Sequence, residues 1–206
     1  VSPQASGSLN FTPVRNANGT VTITVTVRDP GLDTIAGNSD DGSTPVTLVV
    51  NVSAVNDTPS FTVGPNQAVN EDPGARTINP WATNVSRGGG ADEASQALTF
   101  NLVGNSNPSL FSALSISSTG VLSYTPALHA NGSATITVSL SDDGGGANTS
   151  ATQQFTITVN ALNDPPVFTI GANQTVNEDA GPQTVNPFAT GIGPGGGTDE
   201  AGQTVN

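Results

Sequence analysis

An internal repeat constrains this chain more than any other feature. Asn56–Asp72 reads NDTPSFTVGPNQAVNED and Asn163–Asp179 reads NDPPVFTIGANQTVNED, an offset of 107 residues (163 − 56). The offset persists through Asn79-Pro-Trp-Ala-Thr83 against Asn186-Pro-Phe-Ala-Thr190, and through Asp92, Glu93 and Gln96 against Asp199, Glu200 and Gln203. A different stretch repeats near the start. Gly7–Pro13 resembles Gly120–Pro126, and Asn18–Val25 resembles Asn131–Val138, at an offset of 113 (131 − 18). Residues 30–45 carry the six extra residues as an insertion. Self-similarity at a fixed period marks a chain built from repeated structural units. It divides the sequence into the C-terminal half of a repeat (1–56), one complete repeat (57–163) and the N-terminal half of the next (164–206). Two expectations follow for the whole: a window of a longer array, or a protomer whose halves are completed by its neighbours.

Within each unit the apolar residues alternate. Val21, Ile23, Val25 and Val27 are interleaved with Thr20, Thr22, Thr24 and Thr26. Val46, Leu48, Val50 and Val52 follow the same scheme, as do Ile136, Val138 and Leu140, and then Phe155, Ile157 and Val159. Period-two patterning in β-branched residues predicts strands with one buried face. Gly and Pro clusters break these strands at short intervals, and no segment keeps a helical period. The reading is all-β: Ig-like sandwiches of about seven strands, arranged end to end. Trp81 aligns with Phe188, so it is read as core and not as a ligand platform.

Charge narrows the function classes. The formal net charge is −12, with no Lys and four arginines, Arg15, Arg28, Arg76 and Arg87. Nucleic acid needs a basic footprint and is excluded as a partner. No apolar run approaches the roughly 20 residues of a membrane span. There is no Cys, which removes disulfides and cysteine zinc sites, and no Met, so Val1 is read as lying in mid-sequence.

The acids recur in four places. They are Asp29 and Asp142-Asp143 at strand ends, Asn56-Asp57 and Asn163-Asp164 at the repeat junctions, Glu71-Asp72 and Glu178-Asp179 just inside the next repeat, and Asp92-Glu93 and Asp199-Glu200 farther on. In a sandwich these segments are expected to meet at one pole. Converging carboxylates repel unless a proton or cation intervenes. Calcium takes six to eight oxygen ligands of this kind. Taken singly, each motif is also ordinary turn chemistry. Taken as a recurring set, they predict Ca2+, and the lack of His and Cys among them predicts against zinc and copper. Gly88-Gly-Gly90 and Gly195-Gly-Gly197 have no Lys or helix after them, so a flexible loop is the reading over a phosphate loop.

The arrangement resembles bacterial cadherin-like (Ig-like) tandem repeats of giant extracellular surface and adhesin proteins. The resemblance spans the whole chain. It rests on Val69-Asn-Glu-Asp72, Val176-Asn-Glu-Asp179, Gly120-Val-Leu-Ser-Tyr-Thr-Pro126, Asn131-Gly-Ser, Ser141-Asp-Asp and Asn163-Asp-Pro-Pro166. It implies secretion to the cell surface, calcium between repeats, and stalk or adhesion roles. By that resemblance Glu71, Asp92, Asp142, Asp164, Glu178 and Asp199 are the ligands. The insertion after Asp29 departs from the pattern, bringing in Asp33, Asp40 and Asp41, and puts the first junction's ligands in doubt.

Enzyme chemistry is not expected. The single histidine, His129, aligns with Asn16, which does not suit a catalytic base, and the carboxylates recur at junctions instead of lining one cleft. The remaining alternatives are a structural segment of a stalk, adhesin or fibre, and a carbohydrate- or protein-binding module. An exposed Trp81 or Tyr124 would favour the module. Expected partners are neighbouring repeats or copies of the chain in a filament, with surface glycans as a further class. Sequons at Asn10, Asn18, Asn51, Asn56, Asn84, Asn131, Asn148 and Asn173 are of the kind an Asn/Thr/Ser-rich chain makes by chance.

Overall fold

The computed structural model describes residues 6–28 and 43–206. Asp29 and the inserted Asp33, Asp40 and Asp41 lie outside the described residues. Strand β1 (Gly19–Arg28) pairs antiparallel with β2 (Ser43–Val52) in unbroken register. The Val/Thr alternation therefore becomes a hairpin-like ribbon.

Residues from about 57 to 163 form a closed sandwich. Its strands are β3 (Ser60–Thr62), β4 (Gln67–Asn70), β5 (Arg76–Ile78), β6 (Thr83–Ser86), β7 (Leu98–Asn105), β8 (Phe111–Ile116), β9 (Leu122–Pro126), β10 (Gly132–Asp142) and β11 (Gln153–Asn160). One sheet has the order β4-β11-β10-β7; β4 runs parallel to β11 and the other pairs are antiparallel. The opposing layer is made of β5-β9-β8 and the β3-β6 pair. Short 3₁₀ turns at Asp92–Ser95, Pro108–Leu110 and Glu200–Gly202 are the helical elements among the described residues.

The inward alternation of the two longest strands makes the core. Ala134, Ile136, Val138 and Leu140 of β10 and Phe155, Ile157 and Val159 of β11 are buried. They pack with Phe61, Trp81, Phe100, Leu110, Ile116, Leu122 and Tyr124. Each large aliphatic or aromatic side chain removed from water contributes about 1.5–3 kcal/mol. The aromatic rings meet in pairs: Phe61 edge-on to Phe100 at 5.0 Å between centroids, and Trp81 tilted against Phe155 at 4.3 Å. Trp81 is 1% exposed and donates its indole N–H to the Pro65 carbonyl at 3.1 Å, as the expectation of a core residue requires.

After residue 163 the chain forms β12 (Val167–Ile170) and β13 (Ala189–Gly193), an antiparallel pair. Their layout copies β3 and β6. Yet Phe168 and Phe188 are 63% and 59% exposed, where their counterparts Phe61 and Trp81 are buried. Val21, Val25 and Leu48 in the β1–β2 ribbon are likewise exposed, although their counterparts Ala134, Val138 and Phe155 are core. The strands form as the alternation predicts, but the buried face it also predicts is not found in either ribbon, because among the described residues no second sheet covers them.

Candidate metal centres at the repeat junctions

The two junctions are built by the same hydrogen bonds. At the first, Asp57 donates its backbone N–H to Glu93 Oε1 at 3.2 Å, and Gln96 Nε2 donates to Asn56 Oδ1 at 2.7 Å. At the second, Asp164 donates to Glu200 Oε1 at 3.0 Å, and Gln203 Nε2 donates to Asn163 Oδ1 at 2.9 Å. Each linker Asn also turns its amide onto the carbonyl of the following Asp. The 3₁₀ turns carrying Asp92-Glu93 and Glu200 place these glutamates under the linker.

The acids do not meet at a single pole of one repeat, and this corrects the expectation. Asp142 and Asp143 cap the end of β10 on the side of the first junction. Asp143 Oδ1 accepts the Ala97 N–H at 2.8 Å, Asp142 Oδ1 accepts that of Gly144 at 3.0 Å, and Asn56 donates to the Ala147 carbonyl at 3.2 Å. Glu71 and Asp72 follow β4 to the opposite end, where Glu71 accepts the N–H of Leu162. β4 runs parallel to β11, so both strands deliver their C-terminal ends to the second junction. The second junction thus combines the base of one repeat, the linker and the top of the next, while the acids of the first come from the linker and the top of the next repeat, with Asn16 of the preceding half-repeat packed beside them. The first gathers Asn56, Asp57, Asp92, Glu93, Asp142 and Asp143. The second gathers Glu71, Asp72, Asn163, Asp164, Asp199 and Glu200. Glu178 and Asp179 are exposed and stand apart from both clusters.

These carboxylates are poorly compensated. Glu71, Glu93, Asp142 and Glu200 are buried, and Glu71 Oε2, Glu93 Oε2, Asp142 Oδ2, Asp164 Oδ2 and Glu200 Oε2 have no hydrogen-bond partner. Among the described residues no arginine lies within ion-pair distance of a carboxylate. An uncompensated buried charge costs several kcal/mol. All-oxygen ligands with orphaned, inward lone pairs fit a hard divalent cation such as calcium.

Two residues that sequence reasoning set aside belong to the junctions. His129 Nδ1 lies 2.8 Å from Asp164 Oδ2 and 3.1 Å from Asp72 Oδ2. His129, which the sequence reading left out of the ligand set, stands within reach of two of its acids. His129 and its counterpart Asn16 both hold left-handed backbones, with φ of 54° and 58°. Asn tolerates that region well, which explains the exchange. The glycine runs pack against the same two residues. A Cβ on Gly89 would fall on the Asn16 amide, and one on Gly196 on the His129 ring. They are close-approach surfaces, where the sequence reading expected a flexible loop. Asn131 also crosses the junction, donating to Asp199 Oδ1 at 2.8 Å.

No family model matches the chain, and no curated protein matches it. Among solved structures, extracellular cadherin domains 3–6 of protocadherin gamma B2 align with 78% of this chain at 16% identity and a TM-score of 0.46. Extracellular cadherin domains 1–4 of protocadherin gamma B7 align with 81% at 21% identity and a TM-score of 0.45. The chain spans 37% and 39% of those chains, respectively. Neither likeness assigns a function here.

Proposed function

We propose that this chain is a structural segment of an extracellular repeat protein, with calcium bound between repeats to stiffen a stalk, adhesin or fibre. The observation that carries this reading is the pair of junctions with buried, unpartnered carboxylate oxygens and, among the described residues, no arginine within ion-pair distance to offset them. Asn56, Asp57, Asp92, Glu93, Asp142 and Asp143 would hold the ion at the first junction. Glu71, Asp72, Asn163, Asp164, Asp199 and Glu200 would hold it at the second. Bound calcium supplies a central charge that ties three segments together. The protein's own part is to fix the linker: the Asp57 and Asp164 N–H groups are anchored to Glu93 and Glu200, which limits bending at each joint. The cell-surface setting, bacterial origin and giant-adhesin context follow from the sequence resemblance alone.

Head-to-tail assembly is part of the same reading. Residues 6–28, 43–56 and 164–206 expose apolar side chains whose counterparts close the core of residues 57–163. A second copy, or a neighbouring repeat, supplies the missing sheet, and the contact is heterologous and propagates into filaments. Catalysis forms no part of this function. A carbohydrate platform built on Trp81 or Tyr124 is disfavoured, since both are buried at 1% and 2% exposure.

Small-angle scattering at low protein concentration tests the stiffening. Added calcium is expected to narrow the distribution of conformers and lengthen the maximum dimension. Identical profiles with calcium and with chelator would contradict it.

A further inference from the structure

The second junction differs from the first in one chemical respect. Where the first has Asn16, the second has an imidazole. We propose that His129, Asp72 and Asp164 form a site for a divalent metal of the zinc class, confined to this junction, which draws on two carboxylates of the proposed calcium set and so competes with calcium there.

Three electron-pair donors converge here. Nδ1 of His129 and Oδ2 of Asp72 and of Asp164 all lie within 4.8 Å of one another. The Nδ1 contacts of 2.8 and 3.1 Å do not have hydrogen-bond geometry, and both Nδ1 and Asp164 Oδ2 are sealed from solvent without a partner. A proton on Nδ1 would be best served by an oxygen on its axis. A metal on that axis instead leaves its other ligands off it, as found. Zinc-class ions take imidazole nitrogen together with carboxylate oxygen, at about 2.0–2.2 Å. Calcium takes oxygen ligands, so a site that offers an imidazole nitrogen favours the zinc class.

The surroundings hold each ligand in place. The His129 backbone N–H donates to Asp72 Oδ1 at 2.9 Å, fixing the carboxylate by its other oxygen. Asp164 is anchored to Glu200, a fully buried residue whose Oε2 is unpartnered beside the same linker. Gly196 packs on the imidazole face and sets its plane. The side chains of His129 and Asp72 remain about one-third exposed, which leaves a path for the ion.

The chain has one His and no Cys, so nitrogen ligation of a metal by a side chain can only come from His129. Zinc chloride is titrated calorimetrically into the full chain and into His129→Asn, each freed of calcium. The intact chain is expected to take up one zinc ion, with affinity reduced at least tenfold in His129→Asn. In nitrogen-resolved NMR of the single imidazole, zinc is expected to shift Nδ1 and leave Nε2 nearly unmoved. Equal zinc affinity in the two proteins, absence of uptake, or a shift at Nε2 would overturn the proposal; the last two need only the intact chain. Calcium-dependent melting of His129→Asn is recorded in parallel. Its loss in both proteins would count against the calcium reading and leave the zinc result standing.

Discussion

Asp164 donates its backbone N–H to Oε1 of Glu200 across 3.0 Å, a bond that ties the linker to the top of the next repeat. Asp57 and Glu93 form the same bond, at the same sequence separation of 36 residues. In both glutamates the other oxygen is buried without a partner. The amide of Glu93→Gln keeps an acceptor for Asp57 and removes the charge. With chelator present, this change is expected to raise the melting temperature by a few degrees, since an uncompensated buried charge is gone. With calcium present, it is expected to lower it. Scanning calorimetry under both conditions checks the sign; a shift in one direction only would separate Glu93 from the metal.

Equivalent residues are expected to differ in energetic weight. Trp81→Ala empties the centre of a closed core and costs about 3–5 kcal/mol. Phe188→Ala, at the matching position, changes stability by less than about 0.5 kcal/mol in dilute solution, because that ring is exposed. Urea unfolding measures both. If residues 164–206 complete another copy, Phe188→Ala also weakens self-association, seen by sedimentation at rising concentration.

Tyr124 gives the chain an alkaline limit. Burial raises the phenol above its ordinary value, and the nearby Arg76 guanidinium pulls weakly the other way. The fold favours the neutral phenol, while the unfolded chain ionises at about 10. Above that pH the folded state binds more protons than the unfolded state, so stability falls as pH rises toward the folded value. Urea midpoints across this range are expected to drop for the natural chain and to drop less for Tyr124→Phe.

The glycine runs are expected to govern the joints. Gly89→Ala and Gly196→Ala place a methyl group on Asn16 and His129, respectively. Each loosens its junction and increases proteolytic cleavage in the adjacent linker. Gly181→Ala, with open space around it, leaves cleavage unchanged.

The strands were legible because alternation is local. Ile136, Val138 and Leu140 point inward whichever strands surround β10, and the same holds for Phe155, Ile157 and Val159 in β11. The repeat also marked the junction segments, because the same Asn, Asp and Glu recur at a fixed spacing. Which acids share a junction was not legible. That depends on β4 running parallel to β11, a non-local pairing that sends Glu71 and Asp72 away from Asp142 and Asp143. His129 was missed because its exchange for Asn16 reads as a turn substitution. The signal was the shared left-handed turn itself, which faces a glycine run in both copies. The close packing of Gly88–Gly90 and Gly195–Gly197 was hidden for the same reason: composition records freedom of the backbone and not what approaches it.

Thermal unfolding of the full chain with about 5 mM calcium, and again with excess chelator, tests the central claim most directly, at a dose above the roughly 10⁻⁴–10⁻³ M affinities of extracellular calcium modules. The buried, unpartnered carboxylates of the two junctions predict a melting temperature several degrees higher with calcium. The same melting temperature in both would contradict calcium stiffening and reduce the acidic motifs to turns.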